Sequence, residues 1–124
     1  MTPRSSEQED YILRMMRMAA EALRRLRGRL IADEPAELIR KESLSIAGDL
    51  LGRDAPLLRM VDARNAVQLV GHPGRVAVWI DILELEADAT DRTGDSQKAR
   101  VLRDRAASLR SEAVALWGEL PGTG

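Results

Sequence analysis

The sequence predicts an all-α protein, a single-domain helical bundle of about five helices. Three observations carry this. The 124-residue chain is 44% hydrophobic, enough to bury a core, yet it has no Phe, one Tyr and two Trp. A core of Leu, Ala, Val, Ile and Met suits helix packing better than a sheet, whose strands favour aromatics. Apolar residues recur at spacings of three and four over several long segments, which is the helical period. Finally, no stretch of unusual composition divides the chain, and two independent cores are hard to build at this length. Residues 1–124 are therefore read as one domain, with loose tails at 1–6 and 121–124.

The first helix is expected to start near Glu7, with Ser6 as N-cap and acidic residues in its first turn. Ile12, Met16, Ala19, Leu23, Leu26 and Leu30 then alternate steps of four and three, a heptad seam for a partner helix. Gly28 is a point where that helix is expected to loosen or stop. Asp33 and Pro35 mark a new start, and ELIRKESLSIAGDLL runs on to Gly52 with a modest stripe of Ile39, Ser43, Ile46, Ala47 and Leu50. Asp54 and Pro56 open LLRMV, and Asp62 is read as the cap of ARNAVQLV before Gly71. This middle region is two short helices or one bent one.

His72-Pro73-Gly74 punctuates the chain before its organising stretch, Val76 to Ala89. Val76, Ile80, Leu83 and Ala87 form one apolar stripe, and Val78, Ile82, Leu85 and Ala89 a second beside it. Most amphipathic helices bury one face. Two stripes and Trp79 predict neighbours on both sides, the last helix on one and the N-terminal pair on the other. The remaining edge is acidic, with Asp81, Glu84, Asp88 and Asp91 at helical spacing. This central helix closes at Arg92-Thr93-Gly94, and Asp95 caps the last one, where Ala99, Leu102, Ala106, Leu109, Ala113, Leu116 and Leu120 make a small-large seam up to Gly118 and Pro121. The two-residue turn Gly94-Asp95 makes the last two helices an antiparallel hairpin.

Composition excludes several function classes. With no Cys there are no disulfides, thiolate catalysis or Cys-based metal sites. A net charge of −1 argues against a polyanion binder that uses its whole surface. No apolar segment approaches a membrane span and no secretory signal is visible, so a soluble cytoplasmic protein is the expectation. The lone His72 precedes Pro73 in a turn, as a loop residue would, and no nucleophile elbow or Gly-rich phosphate loop accompanies it. Gly71, Gly74 and Gly94 are accounted for as turn and cap residues.

Two charged surfaces are the candidates for function. Asp81, Glu84 and Asp88 share one helical face and could hold Mg²⁺ with carboxylates from another helix, such as Glu34 and Glu37, as in all-helical nucleotide hydrolases. The simpler account pairs them with Arg100, Arg103 and Arg110 of the facing helix, exposed pairs of this kind being worth about 0–1 kcal/mol each. A di-iron carboxylate bundle lacks its Glu-x-x-His motif. On the first helix, Arg14, Arg17, Arg24, Arg25, Arg27 and Arg29 are opposed only by Glu21. They could contact phosphates or an anionic membrane surface. No aromatics are interleaved for base stacking, however, so nucleic acid is an unlikely partner and a solvated or subunit-facing surface is preferred.

DYILRM (Asp10 to Met15), LLRMVDARNAVQLVG and GRVAVWIDILELEADATDRTGD follow one another in an order that resembles an uncharacterised bacterial family, domain of unknown function six-four-eight-three. The resemblance covers Glu9 to Trp117 and implies no functional residue. The last hairpin is similar to a tetratricopeptide unit, with Ala87, Ala99 and Ala106 at its small positions, although Arg103 and Ser111 depart from that pattern. What this likeness implies is scaffolding and protein contact. The expectation is therefore a non-enzymatic protein-interaction or scaffold module without cofactor or metal, its partner unidentified. Its candidate surface is Arg14, Arg17, Arg24, Asp81, Glu84 and Asp88. A homodimer through the first-helix seam or the Ala/Leu seam of the last helix is also expected.

Overall fold

A computed structural model describes residues 3–121, with side chains from residue 7 onward. They form α1 (Pro3–Ile31), α2 (Ala36–Leu51), α3 (Ala55–Met60), α4 (Ala63–Val70), α5 (Pro73–Arg92) and α6 (Ser96–Trp117), with a 3-10 turn over Gly52–Asp54. There is no strand among the described residues. The helical bundle is as the apolar periodicity predicts, and its middle region resolves into two short helices.

The double stripe of α5 makes it the centre. Both stripes are buried along their whole length, and Ala77 and Trp79 are buried with them. α6 packs along one flank of α5 while α1 and α2 pack along the other, and α4 closes against α6. One contiguous apolar cluster includes residues from all six helices. In the α5–α6 hairpin, Arg103 reaches Asp88 and Asp91 while Arg110 reaches Glu84, the descending order of antiparallel helices. Ala87, Ala99 and Ala106 are buried, as the small positions of a close helix pair should be. No helix among the described residues is long and apolar enough to cross a membrane.

Both seams proposed for dimerisation are used within the chain. Ala19, Leu23, Leu26 and Leu30 of α1, and Ala99, Ala106, Leu109 and Ala113 of α6, are buried in the monomer. Burying them there leaves no apolar seam for a second copy at these positions. The last helix ends at Gly118, its C-cap, as expected, but at the end of the α6 seam Leu116 is exposed beside α4 while Leu120 packs against the core.

α1 outruns its neighbours. At about 1.5 Å per residue its 29 residues span about 43 Å, against about 24 Å for the 16 of α2. Met16 is the first α1 side chain packed against the core. Its methyl lies where a Cβ on Gly74 would stand, so Gly74 permits a close approach of α1 and α5 rather than making a turn.

Several local readings are corrected. α1 begins at Pro3, whose fixed φ suits a first turn, so Ser6 lies inside the helix and is not its N-cap. The expected loose segment 1–6 is thus helical from Pro3, while residues 1, 2 and 122–124 of the tails lie outside the described residues. Gly28 does not stop α1, because Leu26 and Leu30 on either side of it are held in the core. Neither Asp54 nor Asp62 caps a helix through its side chain; the Asp62 carboxylate accepts from the Asn65 amide instead. His72 is the cap of α5, its Nδ1 accepting from the Arg75 amide at 3.3 Å, and Asp95 caps α6 by accepting from Lys98 at 3.1 Å.

Candidate functional site

Helical spacing puts Asp81, Glu84 and Asp88 on one edge of α5, and packing walls in its Glu84 to Asp91 part, with α6 alongside throughout and α1 as the opposite wall toward the C-terminal end. Toward the C-terminal end of α5 a hollow of about 490 Å³ is lined by Arg27, Ile31, Asp88, Asp91, Arg92 and Arg103. It meets at Arg103 a second hollow of about 430 Å³, whose apolar lining is Ile80, Ala106, Ala107 and Val114 and whose charged rim is Glu84 and Arg110. The groove thus combines an apolar strip on the α6 side with charges along both rims.

Those charges knit three helices. Asp88 accepts from Arg103 of α6 at 2.8 Å and from Arg27 of α1 at 3.4 Å. Arg103 also approaches Asp91 at 3.7 Å, and Arg110 approaches Glu84 at 3.6 Å. The hydrogen bond to Asp88 holds the Arg103 guanidinium above its ordinary pKa. Burial, and next the neighbouring Glu84 carboxylate, push Asp81 above the usual carboxylate range. Arg92 donates to the Leu30 carbonyl and ties the groove's end to the last turn of α1.

Of the six residues predicted as an interaction surface, the structure brings together Asp81, Glu84 and Asp88. Arg14, Arg17 and Arg24 are exposed on α1 and make no ion pair among the described residues. The α1 arginine that reaches the acidic edge is Arg27, one turn beyond Arg24. Of the arginines expected on α6, Arg103 and Arg110 form pairs, and Arg100 forms none among the described residues. Glu34 and Glu37, the imagined second carboxylate pair, sit at the α1–α2 junction, where Arg29 and Arg40 engage them.

Sequence reasoning missed Glu86. Although it lies in the acidic run of α5, it is 3% exposed, on the side away from the groove. Its Oε1 has no hydrogen bond; the nearest cation is Arg59 of α3 at 3.7 Å. Burial pushes this carboxyl above the usual range, and Arg59, then Arg40, offset part of that push. Thr90, one turn later, is also buried with its hydroxyl unsatisfied. The signal was available in the spacing, since Glu86 stands four residues after Ile82 and seven after Trp79, both core positions. Arg105 was missed as well: it donates to the Leu58 carbonyl at 2.7 Å and lies 5.8 Å above the Trp79 ring, fastening α3 to the hairpin.

No family model, curated protein or solved structure matches the chain.

Proposed function

We propose that this chain is a non-enzymatic protein-interaction module of the cytoplasm, and that it takes an amphipathic helix in the groove beside α6. The observation that carries this reading is the groove's makeup. It is open along one side of α5, with the exposed Ala107 and Val114 over the buried Ile80 and Ala106, beside the arginines Arg27, Arg103 and Arg110. A helix laid in such a groove buries its apolar face on the strip and sets its polar flanks against the rims, the usual way helices are recognised. Asp88, Asp91 and Glu84 already hold the rim arginines in place, so a partner meets preorganised donors.

The same pairs weigh against a Mg²⁺-dependent hydrolase on the acidic edge. Such a site needs carboxylates gathered from two helices, whereas Glu84 and Asp88 face arginines and Glu34 and Glu37 lie with others at the α1–α2 junction. Kinship with the bacterial family named above is likewise a proposal. It rests on segment order and gives no residue a role.

A photo-crosslinking residue placed at Ala107, in the groove, and separately at the exposed Ser108 tests this reading in the native cell. The expected result is a polypeptide adduct at position 107 and none at 108. Failure of position 107 to capture any polypeptide would count decisively against the groove.

A further inference from the structure

We propose that α3 is a flap beside Glu86, held shut while that carboxyl carries a proton and released when it ionises. The flap lies on the side of α5 away from the groove and does not depend on what the groove binds.

α3 is lightly held. Of its six residues only Leu58 is buried, while Leu57 at 48% and Met60 at 84% face solvent. A helix this short is not stable alone in water, so its docking keeps it formed. Two polar contacts add to Leu58: Arg105 of α6 donates to the Leu58 carbonyl, and Arg59 reaches Glu86 at 3.7 Å. The chain on either side is free to swing. Gly52, with φ +71°, opens the turn before α3, no side chain caps the helix at Asp54, and Val61 after it is extended. Segments with so few buried contacts are the ones that open locally while the rest of a fold stays closed.

What lies beneath favours opening in one charge state only. Glu86 and Thr90 stand one turn apart on α5, both buried and each with an oxygen that has no hydrogen bond. The charged groups that face Glu86 come from three helices: Arg59 of α3, Arg40 of α2 and Lys98 of α6. None of them makes good the missing bond. Arg59 is half exposed and beyond hydrogen-bond distance, Arg40 is engaged by Glu37, and Lys98 lies on the exposed first turn of α6. An ionised Glu86 is therefore short of partners while α3 is down, and water reaches it when α3 swings away with Arg59. A protonated Glu86 gains much less from water, and Leu58 and Arg105 then keep the flap shut. Burial accordingly holds the carboxyl above its ordinary range against the pull of the three cations. The closed state thus binds the proton more tightly than the open one. Closure is fullest below the ordinary glutamate range. Opening then grows by up to about tenfold per pH unit and levels off once the raised value is passed. It bares Leu58 and the Glu86–Thr90 face.

Hydrogen exchange of the full chain, read by mass spectrometry over residues 52–62 and corrected for the intrinsic pH dependence of amide exchange, tests the flap. Protection of this segment should be weaker than that of α5 and α6, and should fall by about tenfold or more between about pH 4 and pH 8. Glu86→Gln, which keeps the shape and cannot ionise, should hold it near its acidic level throughout. Arg59→Gln removes the cation that leaves with the flap, so it should increase opening at pH 8 and leave it nearly unchanged at pH 4. Circular dichroism verifies that each variant is folded. The cysteine-free chain permits a second measurement. The alkylation rate of Leu58→Cys, divided by that of the exposed Met60→Cys on the same helix, should rise with pH, and the added Glu86→Gln substitution should flatten it. Protection over 52–62 that ignores pH, a fall with pH that survives Glu86→Gln, or exchange of α3 no faster than that of α5 and α6 would each overturn the flap. So would an effect of Arg59→Gln equally large at both pH values.

Discussion

Glu86 is the residue at which polarity and burial conflict most sharply. A carboxylate lacking a hydrogen bond in a packed interior costs free energy, and Arg59 at 3.7 Å, half in solvent, repays little of it. Glu86→Gln keeps the shape and removes the charge. It should raise stability at pH 7 by on the order of 1 kcal/mol, read from urea unfolding. The sign with pH follows from the raised carboxyl. The folded state favours the protonated form, so its contribution is fully present below the ordinary glutamate range and is lost as pH rises through the higher folded value. The advantage of Glu86→Gln over wild type should therefore shrink on acidification. An advantage independent of pH would mean that Glu86 is not the titrating group.

At the scale of elements, two small devices hold the helices in place. Asp95 accepts the Lys98 amide at the start of α6. Asp95→Ala should cost about 1 kcal/mol and lower Tm by a few degrees, and an unchanged Tm would show that the cap adds nothing to the hairpin turn. Arg105 fastens α3 through the Leu58 carbonyl and covers the Trp79 ring. Burial lowers its pKa from the ordinary value, a mark of how far the guanidinium is drawn in. Arg105→Ala should destabilise by about 1–3 kcal/mol and red-shift tryptophan emission as Trp79 meets water. Emission that stays put would show α3 docked by Leu58 alone, the one buried side chain of that helix.

Across the whole molecule, one apolar cluster joins all six helices, and α5 packs against α6, α2 and α1. Such a core should come apart as a unit. Unfolding followed by circular dichroism and by tryptophan fluorescence should give coincident curves, because no helix has a core of its own to retain. Separated transitions would point to the α1–α2 pair and the α5–α6 hairpin melting independently.

Much of this architecture is legible in the sequence because it depends on local periodicity. The double stripe of α5 announced a central helix, the Gly94-Asp95 turn an antiparallel hairpin, and the run of small residues a close contact with α6. Helix ends were less legible. Ser6, Asp54 and Asp62 have the right chemistry for caps, yet whether a side chain turns onto a free amide depends on backbone geometry that residue type leaves open. The site was half visible: spacing alone puts Asp81, Glu84 and Asp88 on one edge, because they share a helix. Only packing decided that Arg27, and not Arg14, Arg17 or Arg24, meets Asp88, since that contact follows from how α1 crosses α5 above Gly74. Packing also decided that Glu86 is buried while its neighbours on the same helix line a groove. A sequence specifies which residues share a helical face, and the crossing of helices specifies which of those faces meet water, a neighbour or one another.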